Sequence, residues 1–324
     1  MLKDLKFVQG AVAKKDLIPG MTHFVIENST IRSYNGTLAL CSGIQLDIDC
    51  KPNAEQLVDA ISNCSDDHSL VITLTEKNRL RITNGPFSVL VDCLEEATPH
   101  VQPQGEVINY SGSEVREAFN ALLPFVGDDA SRPWTNGILL SGSSAFATNN
   151  VIVVEYWLGT KLPFTINLPR EAIREVLRIG EDPTHCQLDH NSITFHYADD
   201  KWIRSGLYDT GWPELTKILE VDFDPVLVNP EFFEALEAVK PFVDKIGNVY
   251  FENGAIVTHL DDTGAKYALD DFPFTGAYAV SMLQLLNGVI DCIDWSLYPR
   301  PCLFYGKMMR GAIIGRHHPR DNKP

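Results

Sequence analysis

The sequence predicts an α+β fold built from three copies of one unit, each with two helices packed on antiparallel sheets. Three observations predict it. A pair of amphipathic segments recurs in each third of the chain, alternating strand-like stretches lie between and after them, and the length of 324 residues exceeds the size at which a single hydrophobic core stops growing.

The second helix of each pair carries the repeat most clearly. Asn53-Ala-Glu-Gln-Leu-Val-Asp-Ala-Ile61 places Leu57, Ala60 and Ile61 at helical spacing. Pro169-Arg-Glu-Ala-Ile-Arg-Glu-Val-Leu177 puts Ile173, Val176 and Leu177 at the same offsets, and Thr275-Gly-Ala-Tyr-Ala-Val-Ser-Met-Leu283 does so with Ala279, Met282 and Leu283. Asn, Pro and Thr all suit a helix start. Starts at 53, 169 and 275 give separations of 116 and 106 residues, close to a third of the chain.

The first helix of each pair is equally regular. Leu2, Leu5, Val8 and Val12 form one apolar face, Val115, Phe119, Leu122 and Val126 the next, and Phe232, Leu236, Val239 and Val243 the third. Ala121-Leu-Leu-Pro-Phe-Val126 and Ala238-Val-Lys-Pro-Phe-Val243 share wording, with a proline placed to end or kink the helix. Strands are expected over residues 38–48, 71–82, 137–146, 192–196 and 249–259, punctuated by Asn, Gly and Asp. Boundaries near 99–106 and 221–224 divide the chain into domains 1–104, 105–221 and 222–324, each large enough for its own core.

Composition narrows the function. Hydrophobic residues at 44% and charged residues at 22% describe a folded soluble chain. A formal charge of −16 argues against holding nucleic acid by bulk electrostatics, which needs a surplus of Lys and Arg, so any DNA contact must be local or topological. No apolar run approaches the ~20 residues that span a bilayer. Met1 to Lys6 carries charge where a leader needs apolar residues, and a cytoplasmic site of action is the expectation. The seven scattered cysteines form no CxxC pair and read as reduced thiols. His317 and His318 are a polar tail pair rather than a metal site, and no cofactor is expected.

Several segments then carry a resemblance. Val12-Ala-Lys-Lys-Asp-Leu-Ile-Pro19 looks like a basic turn before a strand, Arg132-Pro-Trp-Thr-Asn-Gly-Ile-Leu-Leu140 like an Arg-aromatic-Leu-Asn-Gly strand, and Ala147-Thr-Asn-Asn150 like an Ala-Thr-Asp-Gly turn. Gly211-Trp-Pro-Glu-Leu215 is similar to Phe-Pro-Asp-Tyr, and Phe274-Thr-Gly-Ala-Tyr-Ala-Val-Ser-Met-Leu283 to a Phe-Asn-x-x-Tyr-Leu-x-x-x-Leu helix. In this order and spacing, over nearly the whole chain, they resemble the bacterial-type sliding clamp, the beta subunit of the replicative DNA polymerase. Two departures stand out. Asn149, Asn150, Val151 and Ile152 replace Asp-Gly-His-Arg, and Gly311-Ala-Ile-Ile-Gly-Arg316 with a short extension replaces a Met-Pro-Met-Arg-Leu terminus. A compact, diverged third domain is in keeping with a virus-encoded version.

The resemblance implies a non-catalytic processivity factor: half of a six-domain ring, closed by a homodimer around double-stranded DNA, with DNA polymerase and a clamp loader as partners and no membrane. It marks Lys14, Lys15, Arg132 and Trp134 as near DNA, the competing readings being an ordinary loop and a core aromatic. Arg170, Arg174 and Arg178 recur at i, i+4, i+8, away from the Ile173/Val176/Leu177 face, and are expected to face the hole. The plainer alternative pairs them with Glu171 and Glu175 on a solvated face. A cleft for a partner's peptide is implied around Thr135, Thr148, Asn149, Asn150, Val151, Pro213, Ile218, Tyr278, Ile313 and Ile314, although Ile218, Ile313 and Ile314 also fit a core.

An enzyme is the main competing class. The pairs Asp66/Asp67, Asp129/Asp130, Asp199/Asp200, Asp261/Asp262 and Asp270/Asp271 invite metal-dependent phosphodiester chemistry, yet they are spread along the chain in turn-like contexts. Gly142-Ser-Ser lacks the GxSxG elbow, and no Walker loop or HExxH occurs. A structural oligomer reusing the fold is a third reading.

Overall fold

The computed structural model describes residues 1–15, 17–110, 112–222, 224–261 and 263–319. Among them, one order of elements recurs three times. The first third runs α1 (Leu2–Val8) with a 3-10 turn, β1 (Val25–Glu27), β2 (Thr30–Tyr34), β3 (Leu38–Gly43), α2 (Ala54–Ser62), β4 (Leu70–Leu74), β5 (Arg79–Asn84) and β6 (Phe87–Asp92). The second runs β7 (Glu106–Ile108), α3 (Gly112–Leu122) with a 3-10 turn, β8 (Gly137–Ser141), β9 (Ser144–Thr148), β10 (Ile152–Trp157), β11 (Ile166–Pro169), α4 (Arg170–Ile179), β12 (His185–Asp189), β13 (Ser192–His196) and β14 (Trp202–Gly206). After the short α5 (Thr216–Leu219), the third runs β15 (Val226–Leu227), α6 (Pro230–Val239) with a 3-10 turn, β16 (Asn248–Glu252), β17 (Ala255–Val257), β18 (Lys266–Ala268), β19 (Gly276–Ala279), α7 (Val280–Gln284), β20 (Cys292–Ile293), β21 (Cys302–Tyr305) and β22 (Met309–Ile313).

Local chemistry explains the helix limits. Asn53 caps α2 by accepting from the Gln56 amide at 3.1 Å, and Asn229 caps α6 by accepting from Glu231, satisfying amides that have no partner inside the helix. Pro124 and Pro241 each sit in the 3-10 turn directly after α3 and α6, where a residue without an N–H ends the α-helical ladder. The third copy departs from the sequence reading. The helix expected from Thr275 begins at Val280, because Gly276 to Ala279 form β19, paired to β16 and buried at every position. Helix starts at 54, 170 and 280 repeat more evenly than 53, 169 and 275.

The strands pair in four antiparallel sheets among the described residues. In the second and third copies, the four strands after the first helix give one sheet, ordered β11-β8-β9-β10 and β19-β16-β17-β18, and the others give β7-β12-β13-β14 and β15-β20-β21-β22. These sheets do not stop at the thirds. β14 pairs with β3, setting Trp202 opposite Cys41 and Ile203 opposite Leu40, and β22 pairs with β10, setting Ile152 opposite Ile313 and Glu155 opposite Arg310. The second seam is closed by an ion pair, Arg310 Nε to Glu155 Oε2 at 2.5 Å. It also depends on Gly311, where a Cβ would run into the Phe304 ring and the Val153 carbonyl.

Because of these seams, packing divides the chain into two compact units, Met1–Arg116 with Glu171–Tyr208, and Glu117–Arg170 with Asp209–Pro324. The first unit holds the seven-stranded sheet β1-β2-β3-β14-β13-β12-β7 and the three-stranded β4-β5-β6. Its core includes Leu5, Ile31, Leu40, Leu57, Ile82 and Phe195.

The second unit holds the eight-stranded and four-stranded sheets. Its core centres on an aromatic cluster in which the Phe251 ring lies 5.8 Å from Phe232, 5.1 Å from Phe272, 5.0 Å from Tyr278 and 5.2 Å from Trp295. Phe251 is fully buried. Phe251→Ala is expected to cost about 3–5 kcal/mol, the range for truncating a buried aromatic. Urea unfolding followed by tryptophan fluorescence reads it, and a cost below about 1 kcal/mol would refute the cluster's role.

Candidate nucleic-acid and peptide interfaces

The cations marked by the sequence fall into two groups, one free and one committed. Lys14 and Lys15 are exposed on an irregular segment that also exposes Leu17 and Ile18. On α4, Ala172, Ile173 and Val176 are buried while Leu177 is half-buried, so the apolar face is rotated slightly from the expected one. Arg174 is exposed and has no ion pair among the described residues.

The flanking arginines are engaged in holding the fold. Arg178 donates to the Lys6 carbonyl at 3.1 Å, the Phe7 carbonyl at 2.8 Å and Glu175 Oε2 at 2.6 Å, so it caps the C-terminal end of α1, where carbonyls lack helical partners. Gly10 belongs to the same contact, since a Cβ there would strike Glu175 and Arg178. Arg170 donates to the Val126 carbonyl at 2.7 Å and to the Gly127 carbonyl, and lies 3.4 Å from Asp128. The expected stripe of three equivalent guanidiniums is therefore one free cation, Arg174, between two that satisfy backbone carbonyls.

In the second unit, Arg132 is exposed and donates through Nη1 to Asn150 Oδ1 at 2.9 Å. Trp134 is half-buried, its ring 5.1 Å from Trp212 in an edge contact, and its carbonyl accepts from Asn167 Nδ2 at 2.9 Å. The same Asn167 amide also donates to the Asp209 carbonyl at 3.0 Å. A single buried side chain thus ties the Trp134 turn to the segment that carries exposed Pro213. Trp212 belongs to segment 211–215, and no local signal in the sequence marks it as the partner of Trp134.

The turn 148–151 is built by its own side chains. Thr148 Oγ1 donates to the Ile152 carbonyl at 2.8 Å and accepts from Asn150 N at 3.1 Å, and Asn149 Oδ1 accepts from Val151 N and Ile152 N. Asn150 sits at φ +69°, the left-handed region that glycine favours and asparagine tolerates. Its replacement of glycine in the Ala-Thr-Asp-Gly pattern therefore keeps the turn. Asn149 Nδ2 also approaches Met282 Sδ at 3.3 Å. The Val151 carbonyl accepts from Ile314 N at 2.9 Å, which brings exposed Ile314 beside half-buried Val151, while α5 with half-buried Ile218 packs on β22.

Other expected cleft residues are enclosed. Tyr278 is 1% exposed, with its hydroxyl 3.1 Å from Cys302 Sγ, and Ile313 is 0% exposed within β22. Thr135 and Thr148 are buried too. These four cannot touch a partner without rearrangement. The surface that remains is Asn149, Asn150, Val151, Pro213, Ile218 and Ile314.

The described members of the acidic pairs lie in turns and irregular segments. Asp129 accepts from the Ser131 amide and hydroxyl, which lowers its carboxyl below the usual range. Asp199 and Asp200 both have positive φ. Asp262 lies outside the described residues. Among those described, no group of three His, Cys, Asp or Glu side chains is placed to hold a metal ion, and no helix is long and apolar enough to cross a membrane.

This architecture, with three copies of helix, strands, helix, strands fused through continuous sheets, is the sliding-clamp fold. No protein-family model and no curated protein matches the sequence. Among solved structures, the chain is similar to the DNA polymerase III beta sliding clamp of Bartonella birtlesii bound to griselimycin, at TM-score 0.84 and 16% identity over 98% of this chain and 97% of that one. The Caulobacter crescentus polymerase III beta protein gives 0.83 and 16%, and the Bacillus subtilis polymerase sliding clamp 0.80 and 14%, with the same coverage.

Proposed function

We propose that this chain is a non-enzymatic DNA sliding clamp, with three domains per chain, that closes as a homodimer around duplex DNA and tethers a polymerase through a peptide surface. The observation that carries the reading is the rule obeyed by both seams. In each, the final strand of one copy pairs with the outer strand of the preceding copy's first sheet, β14 with β3 and β22 with β10. Applied once more, it leaves β18 of the third copy and β6 of the first as the terminal strands of their sheets among the described residues, with only the last residue of β6 bonded outward, to the Asn53 amide. A strand edge left open invites pairing with another chain. A head-to-tail contact whose rotation closes gives a ring, and two chains of three copies supply six.

Exposed apolar side chains lie on β6 and in the segment that precedes the four-stranded sheet. Leu90 on β6 is 45% exposed, and Phe242 and Ile246, in the loop that leads into the four-stranded sheet, are 58% and 65% exposed. Large exposed hydrophobics are candidates for association surfaces.

In this reading a closed ring needs little affinity for DNA, because it cannot leave sideways. The net charge of −16 suits a protein that must slide, with Lys14, Lys15, Arg132 and Arg174 giving local phosphate contacts that position without reading sequence. The polymerase peptide would dock on Val151, Pro213, Ile218 and Ile314. The test compares retention on nicked circular DNA, after clamp-loader treatment, with retention on the same DNA cut once. Retention confined to the circle is expected, at least tenfold above the cut form. Equal retention on both would end the proposal.

A further inference from the structure

A pair of thiols at the end of β6 plays no part in the proposed clamp mechanism. Segment 50–53 is an irregular extra strand, held by isolated bridges of Ile26 with Cys50, His23 with Asn53 and Pro52 with Cys93. The Leu94 amide donates to the Lys51 carbonyl at 2.8 Å and the Asn53 amide to the Asp92 carbonyl at 2.9 Å. These bonds flank the Pro52–Cys93 pair and make it the closely spaced, non-hydrogen-bonded kind. Cys50 precedes Pro52 by two positions and so shares its face. Cys50 and Cys93 are therefore diagonal neighbours on one side of the pairing, close enough for the two thiols to act on one another.

Access and chemistry differ between the two. Cys50 is 8% exposed and lines a cavity of about 570 Å³ whose walls include Tyr34, Leu94, Val101 and Trp202. Cys93 is half-buried. Each thiol faces a carbonyl two positions before it in the chain, Cys50 Sγ that of Ile48 and Cys93 Sγ that of Val91, both at 3.9 Å. The interaction with the neighbouring Cys50 thiol holds the Cys93 pKa down against the opposing effect of burial, with backbone groups of Leu80 and Lys51 acting in the same direction. The same interaction, together with burial, pushes the Cys50 thiol far up. One sulfur is thus suited to attack and its neighbour keeps a proton. Low-pKa thiols with a second thiol in reach are those that oxidise reversibly. The other described cysteines show only raised pKa values.

We propose that Cys50 and Cys93 are a peroxide-reactive dithiol whose disulfide ties segment 50–53 to the end of β6. The Cys93 thiolate attacks one oxygen of hydrogen peroxide, the O–O bond breaks, and hydroxide leaves and takes up a proton to give water, with Cys93 now a sulfenic acid. Cys50 then attacks the Cys93 sulfur, an S–S bond forms, its thiol proton passes to the departing hydroxide, and a second water leaves. Two thiols and one peroxide become one disulfide and two waters. The isolated bridges, unlike a full ladder, leave segment 50–53 room for the small approach that disulfide geometry requires. The cross-link spans 43 positions, a long loop whose closure restricts the unfolded chain.

The inference does not rest on the clamp reading, and its test is made on the intact protein without DNA. Purified reduced protein is treated with hydrogen peroxide, its free thiols are blocked, and it is digested for peptide mapping by mass spectrometry. The expected result is a peptide pair joined through Cys50 and Cys93 in most molecules, with the other five cysteines alkylated. Tm should rise by roughly 5 °C and return on addition of dithiothreitol. Cys50→Ala should leave Cys93 as a sulfenic or sulfinic acid with no rise in Tm. Alkylation of both thiols after peroxide, a disulfide through any other cysteine, or Cys93 sulfinic acid beside an intact Cys50 thiol in the wild type would each overturn the proposal. The wild-type mapping decides the matter even if the variant folds poorly.

Discussion

In the proposed ring, replacing Phe242 and Ile246 together by aspartate is expected to give monomers and abolish retention on circular DNA. Both side chains are more than half exposed, so the substitution removes little from the core, and the monomer's Tm should change by no more than a few degrees. Closure is different. Burying a large aliphatic or aromatic side chain stabilises an interface by about 1.5–3 kcal/mol, and a carboxylate enclosed without a partner adds a further penalty. Losing two such anchors weakens each closure by at least about 100-fold, or roughly 2.8 kcal/mol. Sedimentation velocity at micromolar concentration reads the mass directly, and a dimer that survives the double substitution would remove the segment carrying Phe242 and Ile246 from the closing surface.

The head-to-tail geometry makes a sharper prediction from the same residues. Leu90→Asp, on the opposite proposed surface, should also give monomers. A mixture of the two variants should dimerise again, because one sound Phe242 surface then meets one sound Leu90 surface. That dimer has a second contact spoiled on both sides, so it stays open and should not be retained on circular DNA. A symmetric contact of one surface with itself would not give this recovery of mass without recovery of function.

The parts of the fold that were legible from the sequence are those fixed by local chemistry. The apolar faces of α3 and α6, the prolines that end them and the Asn53 cap depend on residues within one or two turns, and each lies where its pattern placed it. Non-local pairing was not legible. Gly276 to Ala279 look like the start of a helix, but β16 claims them as a strand. Nor does any local signal tell that β14 will join β3, since edge pairing is decided by backbone groups that every residue has.

The candidate site follows the same division. Spacing correctly places Arg170, Arg174 and Arg178 along one helix, but cannot know that Lys6 and Phe7, far away in sequence, offer carbonyls to Arg178. The turn 148–151 is legible because the hydrogen bonds that shape its backbone are local, whereas its bonds to Arg132, Met282 and Ile314 are not. Tyr278 and Ile313 are not legible, because the aromatic cluster and the β10–β22 seam bury them.

That burial decides how the peptide surface should be tested. Ile313 and Ile314 are adjacent and chemically identical, yet one is 0% and the other 45% exposed. Ile313→Asp places an unpaired carboxylate in the β10–β22 seam, opposite Ile152, where desolvation and the lost packing should together cost more than about 4 kcal/mol and unfold the second unit. Any loss of binding in that variant reports folding. Ile314→Asp changes a half-exposed side chain beside Val151, keeps the backbone bond from Ile314 N to the Val151 carbonyl, and should shift Tm by no more than a few degrees. If Ile314 and Ile218 anchor the polymerase peptide, Ile314→Asp should weaken its binding by about 10- to 100-fold, as loss of a central apolar anchor does, and Ile218→Asp should act alike. Fluorescence anisotropy of a labelled C-terminal polymerase peptide measures this. Unchanged affinity in both variants, with unchanged Tm, would move the partner's docking site off this surface and leave ring closure around DNA untouched.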